Sequence, residues 1–280
     1  MDSLVVAAML AASLLHASWH ALIKQSGDRV VALAGMNLVA GAIALALLPF
    51  SRALPPAAFL VIAFSVLLHV GYKIALARLY GQAELSQAYP LARGVTPIIA
   101  TGLAVGFLGD LLATGAVLGI AVICAGLLLL ATENRAQRLS APALGSAALV
   151  GLTVAAYSVL DAYGVRLAGD WFSFTLWLVA ADSAAFVAYA FATRGARTLQ
   201  LWRSQARNTL VSGTLGVVSF SVFMWALGQA PVGPVSALRE TSILFAALIG
   251  ALFLGERATW RRYSAAAIVL AGISVLTLTR

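Results

Sequence analysis

Acid is scarce in this chain, and cysteine scarcer still. Ten Asp and Glu residues and 18 Lys and Arg residues make up only 10% of the 280 positions. A soluble domain carries about a quarter charged residues, so an ordinary solvated surface is excluded. The one cysteine, Cys124, excludes an intrachain disulfide and a thiolate metal cluster. No Gly-x-x-x-x-Gly-Lys-Ser/Thr run is present, so the chain is not by itself an ATP-driven pump. Histidine is also rare. His16 and His20 share a helix face, but a metalloprotease motif would need Glu at 17, where Ala17 stands. Neither a metal nor another cofactor is expected.

What is there is apolar: 62% hydrophobic residues and a mean hydropathy of +0.96. This is a membrane protein by composition, and its apolar runs of about 20 residues make the expected fold class an all-α integral membrane protein. The net charge of +8 is no nucleic-acid signal, because the basic residues sit in loops between apolar runs. The N-terminal run lacks a basic leader and is too long for a cleaved signal, so it reads as a first span.

The chain repeats itself. Adding 146 to the stretch from Ala83 to Asp110 lands on the stretch ending at Glu256: Arg93 on Arg239, Ala100 on Ala246, Phe107 on Phe253, Gly109 on Gly255, Asp110 on Glu256. The same offset runs on through Ala125/Ala271, Gly126/Gly272 and Leu130/Leu276. Such self-similarity indicates a duplication. The halves are placed at 1–135 and 140–280.

At about 20 apolar residues per crossing, ten spans fit: 3–23, 30–50, 57–78, 84–108, 111–131, 142–163, 172–193, 208–228, 231–254 and 260–279. Five spans per half is odd, so the second half enters the membrane in the opposite sense. The expectation is ten transmembrane helices in two inverted five-helix repeats, an arrangement suited to alternating access. At Gly109-Asp110 and Gly255-Glu256 a glycine is expected to end one helix and an acid to cap the next. Twelve Lys and Arg residues fall on one side of this topology and three on the other. The cation-rich side is expected in the cytoplasm, with both termini outside.

Three cations remain inside spans: Lys73, Arg93 and Arg239. A charge at that depth costs at least about 2.5–3.5 kcal/mol and usually marks a pathway. Arg93 and Arg239 can hold a carboxylate or phosphate bidentately, or they can pair with buried acids. Glu240 adjoins Arg239, but neighbours on a helix point apart. Asp182 and Glu240 are the deepest acids, as charge partners or coupling groups. Asp161 is placed near an outer end, hydrated, and Lys73 toward a cytoplasmic end, able to snorkel. His16, His20 and Trp19 form a polar stripe, and Tyr72, Tyr89, Tyr157 and Trp225 are candidate walls. Pro90, Pro97, Pro231 and Pro234 interrupt the fourth and ninth spans.

These features resemble the drug/metabolite transporter superfamily, EamA-type. The resemblance rests on the ten-span layout, the HASWHALIK segment of the first span, the paired fourth and ninth helices, and the Gly-Asp and Gly-Glu endings. Asp110 departs from the Glu usual at that point. The resemblance implies a secondary transporter of small metabolites such as amino acids, often an exporter, in the bacterial inner membrane, and not an enzyme. It carries Lys73, Tyr89, Arg93 and Arg239 to a central cavity, which the stripe of His16, His20 and Trp19 is expected to face. The mixed charge of that centre suits a zwitterionic or anionic substrate. Expected partners are that small molecule and the lipid bilayer, with no nucleic acid. Coupling to a proton or another ion, and monomer or homodimer, stay open. The alternatives are an intramembrane enzyme or a lipid flippase.

Overall fold

The computed structural model describes residues 1–82, 90, 92–131, 140–253 and 259–278. Among these residues every regular element is a helix, and the chain is a multi-pass membrane protein. The helices are α1 (Ser3–Lys24), α2 (Arg29–Leu47), α3 (Pro56–Gln82), α4 (Thr96–Leu108), α5 (Thr114–Ala131), α6 (Ala141–Ala168), α7 (Trp171–Arg194), α8 (Arg197–Ser204), α9 (Ala206–Gln229), α10 (Val232–Glu240), α11 (Ser242–Phe253) and α12 (Trp260–Leu278). Seven of them, α1, α2, α3, α6, α7, α9 and α12, are long and apolar enough to cross a membrane.

Short polar residues set the boundaries. The carboxylates of Asp2, Asp28 and Asp170 and the hydroxyl of Ser140 accept from the first free amides of α1, α2, α7 and α6. Gly109 (φ 68°) and Gly169 (φ 67°) end α4 and α6 in the left-handed conformation that a Cβ disfavours.

Helices pair across the two halves. α1 packs on α9, α3 on α6, α2 on α7, α4 on α10 and α5 on α12. The α5–α12 seam is close because it is glycine-lined. A Cβ at Gly126 would fall 2.7 Å from Val269, and one at Gly272 would fall 2.7 Å from Ile123.

Several boundaries differ from expectation. The ninth span is not one helix: a turn at Thr241 separates α10 from α11. The Thr241 amide and hydroxyl both turn back to the Leu238 carbonyl, which closes the turn locally. The fourth span has a matching break. Residues 92–94 are helical, Val95 is a turn, and α4 starts beside Pro97. The sixth span runs five residues further than expected, to Ala168, and the polar stretch after α7 forms the short helix α8. Gly109 ends its helix as expected, but Asp110 does not cap α5. It binds Arg166 at 2.6 Å and accepts from the Val232 amide at 2.8 Å, so it caps α10 across the molecule. Gly255 and Glu256 lie outside the described residues.

Candidate functional site

A cavity of about 80 Å³ lies where α1, α2, α3, α6, α7, α9 and α10 converge. Polar side chains in the apolar bundle give it chemistry. From α3 come His69, Tyr72 and Lys73, from α7 Asp182 and Ser183, from α6 Tyr157, and from α10 Arg239. His16 and Trp19 of α1 and Asn37 of α2 complete the polar wall.

The buried charges divide into two classes. One class is fully paired. Arg93 is completely buried and grips Glu240 with two parallel bonds, Nε to Oε2 at 2.5 Å and Nη2 to Oε1 at 2.6 Å. Here the expectation needs correcting, because Arg93 does not line the cavity. Its guanidinium is committed to the carboxylate beside Arg239, and its Nη1 reaches the Tyr72 hydroxyl of the wall at 3.5 Å. Glu240, as expected, does not pair with its own neighbour.

The other class is left partly open. Lys73 does not snorkel. It is buried, and its ammonium donates to Asp182 Oδ2 and, at 2.7 Å, to Asn37 Oδ1. Asp182 Oδ1 is buried with no hydrogen-bond partner among the described residues. Arg239 pairs with no carboxylate among them either, and its Nη1 is buried without a partner. Its face packs on Phe223 at 4.2 Å and on Tyr157 at 5.5 Å. Stacking of this kind holds a guanidinium in place while leaving its edge N–H groups for an acceptor. The Tyr157 and Ser183 hydroxyls are also buried and unpartnered among the described residues.

Four unsatisfied polar atoms, one cationic, one anionic and two hydroxyl, therefore stand on residues lining one cavity. Each such atom costs about 1–3 kcal/mol when nothing answers it. Natural proteins carry few of them, and a cluster in a cavity is what a binding site for a polar ligand requires.

His69 is a wall residue that the sequence reading does not single out. Its Nε2 lies 3.0 Å from Asp161 Oδ2, its ring stacks on Tyr157 at 4.0 Å, and Ser65 donates to Asp161 Oδ1. Asp161 is thus fully buried and not hydrated at a helix end. With α6 continuing beyond the expected boundary, Asp161 falls inside the bundle and not at its edge. The sequence signal that was available is Ser65 and His69 at i,i+4 on one face of α3. Trp19 lines the cavity and stacks on His20 at 3.6 Å, whereas His20 points its nitrogens elsewhere, to His16 and Tyr80. Tyr89 lies outside the described residues. Trp225 lines a different cavity, of about 510 Å³ and almost wholly apolar, between α1, α2, α7 and α9 at the cation-poor ends of those helices. Val179 and Val217 belong to both cavities and separate them. Among the described residues no group of three His, Cys, Asp or Glu side chains could hold a metal.

Comparison with known proteins agrees with this architecture. A solved structure described only as "Crystal structure of protein" superposes with a TM-score of 0.79 at 16% identity, over 99% of this chain and 96% of the other, which shows a shared fold. A protein of Streptantibioticus cattleyicolor named "Probable terminal-alkyne amino-acid exporter" is 31% identical over 67 residues. That match spans 24% of this chain and 23% of the relative. The family model described as "EamA-like transporter family" matches residues 142–278, α6 to α12. Over residues 142–278 the chain is thus similar to the EamA-like transporter family.

Proposed function

We propose that the protein is a secondary transporter of a small zwitterion of the amino-acid class, working by alternating access in a bacterial inner membrane, with export the favoured direction. The observation that carries the reading is the pair of unanswered opposite charges in one cavity, Arg239 Nη1 and Asp182 Oδ1. Arg239 would take the carboxylate, and Asp182, already neutralised on one oxygen by Lys73, would take the ammonium. Trp19 and Tyr157 would cover the body of the substrate. Arg93 and Glu240 would act behind this site, holding α10 where Arg239 meets the cavity. The family match over residues 142–278 and the exporter name of the Streptantibioticus relative support the class of activity.

The reading includes ten spans in two inverted repeats, with both termini outside. Helix pairing supports it. Exchanging the halves turns the α1–α9 contact into α6–α3 and leaves α2–α7, α4–α10 and α5–α12 unchanged, as a two-fold axis requires. The close contact of Gly126 with Val269 maps onto that of Gly272 with Ile123 under the same offset of 146. The breaks at Val95 and Thr241 are also equivalent under it.

The test is counterflow in proteoliposomes, with vesicles loaded with a mixture of neutral amino acids and labelled tracer outside. Saturable tracer uptake is expected for the wild type. In Arg239→Gln, half-saturation should rise by about one to two orders of magnitude, the worth of a charge-assisted bond of about 1.5–3 kcal/mol, with the melting temperature near that of the wild type. Unchanged half-saturation in a folded Arg239→Gln protein would overturn the site assignment.

A further inference from the structure

A file of hydrogen-bonded proton carriers leaves the central cavity along α1. His16 lines the cavity. Its Nε2 is 3.1 Å from Nε2 of His20, and Nδ1 of His20 is 2.7 Å from the Tyr80 hydroxyl. All three side chains are buried. Tyr80 stands two residues before the end of α3, and the next two residues, Gly81 and Gln82, are exposed. The direction is therefore from the cavity to the cation-rich face, where His20 is within about one turn of the end of α1. Placing two imidazoles in a membrane-spanning bundle is expensive, and neither the fold nor the proposed substrate contacts need both nitrogens of His20 to be engaged.

We propose that His16, His20 and Tyr80 form a proton path between the central cavity and the cation-rich face, and that substrate movement is coupled to proton movement along it. This rests on the transporter reading above and names its coupling ion. An imidazole hydrogen-bonded through both nitrogens can accept a proton on one and release another from the other. Take His16 protonated on Nε2 and His20 on Nδ1. A proton arriving at His16 Nδ1 releases the Nε2 proton to His20 Nε2. His20 then gives its Nδ1 proton to the Tyr80 oxygen, which lets go of its own hydroxyl proton beyond. One proton enters and one leaves, and each group ends neutral. Running the sequence backward carries a proton from that face into the cavity.

The surroundings suit a path more than a store. Among the described residues, the charged groups facing the two rings include Arg239 of α10 and Arg93, the latter already tied to Glu240. Among the described residues, the other helices against α1 bring ionisable side chains only near their cation-rich ends. α11 has none, α9 has only Arg207 in its first turn, and α2 has only Arg29 at its start. Elsewhere on the cavity wall, His69 held by Asp161 supplies a second protonable group in contact with the same space.

The experiment uses the full chain in proteoliposomes with a pH-sensitive dye trapped inside and a mixture of radiolabelled neutral amino acids as probe. Two readings are taken: net amino-acid flux with the accompanying pH change, and amino-acid exchange at equal pH. Wild-type protein is expected to show both. Tyr80→Phe, which keeps the ring and loses only the hydroxyl, is expected to retain exchange while its substrate-driven pH change falls to that of protein-free vesicles. His20→Gln is expected to lose the pH change as well. Net flux without a pH change in the wild type, or a normal pH change in Tyr80→Phe and His20→Gln, would overturn the proton path and leave the transporter standing. Absence of exchange in the wild type would overturn the transporter reading itself and the path with it.

Discussion

Two arginines that occupy equivalent places in the sequence do different work. Arg93 is fully buried and has a complete carboxylate fork, while Arg239 lines the cavity and pairs with no carboxylate among the described residues. The intramembrane charges that the sequence singles out, Lys73, Arg93, Arg239, Asp182 and Glu240, stand in or beside the central cavity. Sequence alone could not say which acid meets which base, because a partner 147 positions away is set by packing and leaves no local pattern. The same reason hid His69, while Asp161 is visible in the sequence but set at an edge because the end of α6 is drawn five residues early. The division of labour has a consequence for stability. Removing one member of a buried pair strands the other charge, at about 3–5 kcal/mol, whereas replacing both by apolar groups of similar volume is much milder. Arg93→Gln and Glu240→Gln should each melt well below the wild type, and the double replacement of Arg93 and Glu240 by methionine should recover most of the loss. Single variants as stable as the wild type would show that the fork holds nothing together.

At the scale of elements, apolar runs mark where most helices lie, and polar residues mark where they start. The ends are harder to read. Gly164 looks like a place for α6 to stop, but it serves close packing instead. A Cβ there would fall 2.1 Å from the Phe174 ring of α7, so the helix runs through this contact and continues to Ala168 before Gly169 ends it. The break at Val95 has a sequence mark in Pro97, at the start of α4, but the break at Thr241 was illegible, because no glycine or proline of the kind that normally marks an interruption stands beside it. Breaks at such depth are tolerated where protein satisfies the backbone, and both adjoin the arginines. The start of α7 offers a direct test of one boundary. Asp170 accepts from the amides of Phe172 and Ser173 at 3.3 Å and from the Ser173 hydroxyl at 2.5 Å. Burial pushes its carboxyl up, but these bonds, with Arg52 nearby, outweigh burial and hold it below the usual carboxylate range. A depressed folded pKa means the cap's contribution is complete above the unfolded value of about 3.9 and fades as pH falls through the folded value. Asp170→Asn should therefore melt with a flatter acid limb than the wild type below pH of about 4, and Asp170→Ala should lose about 1 kcal/mol at neutral pH. Parallel acid limbs for wild type and Asp170→Asn would rule out the cap as a titrating contact.

For the whole molecule, the two membrane faces are built differently. At the cation-poor ends the apolar cavity of about 510 Å³ opens between α1, α2, α7 and α9 and reaches Val179 and Val217, which also border the central cavity. At the cation-rich ends α8 packs on α2, α7 and α9. Trp202 of α8 lies against Gly35 and donates to the Val31 carbonyl at 2.9 Å, and Arg194 binds Asp28 at 2.9 Å to tie α7 to α2. This asymmetry is what an outward-open state of an alternating-access protein would have, and it makes the orientation proposed from the loop cations measurable. The native thiol background is low, because Cys124 is the single cysteine and is 1% exposed. In a Cys124→Ser background, Arg52→Cys on the cation-poor side should react with a membrane-impermeant maleimide from outside intact cells, and Arg203→Cys on the cation-rich side should react only after lysis. Ser221→Cys, on the wall of the larger cavity, should react from outside, and Trp202→Ala should slow that reaction by loosening this packing on the other face and lowering the outward-open population. Labelling of Arg203→Cys from outside would reverse the orientation. Reaction at Ser221→Cys unaffected by Trp202→Ala would show that α8 does not hold the cation-rich face shut.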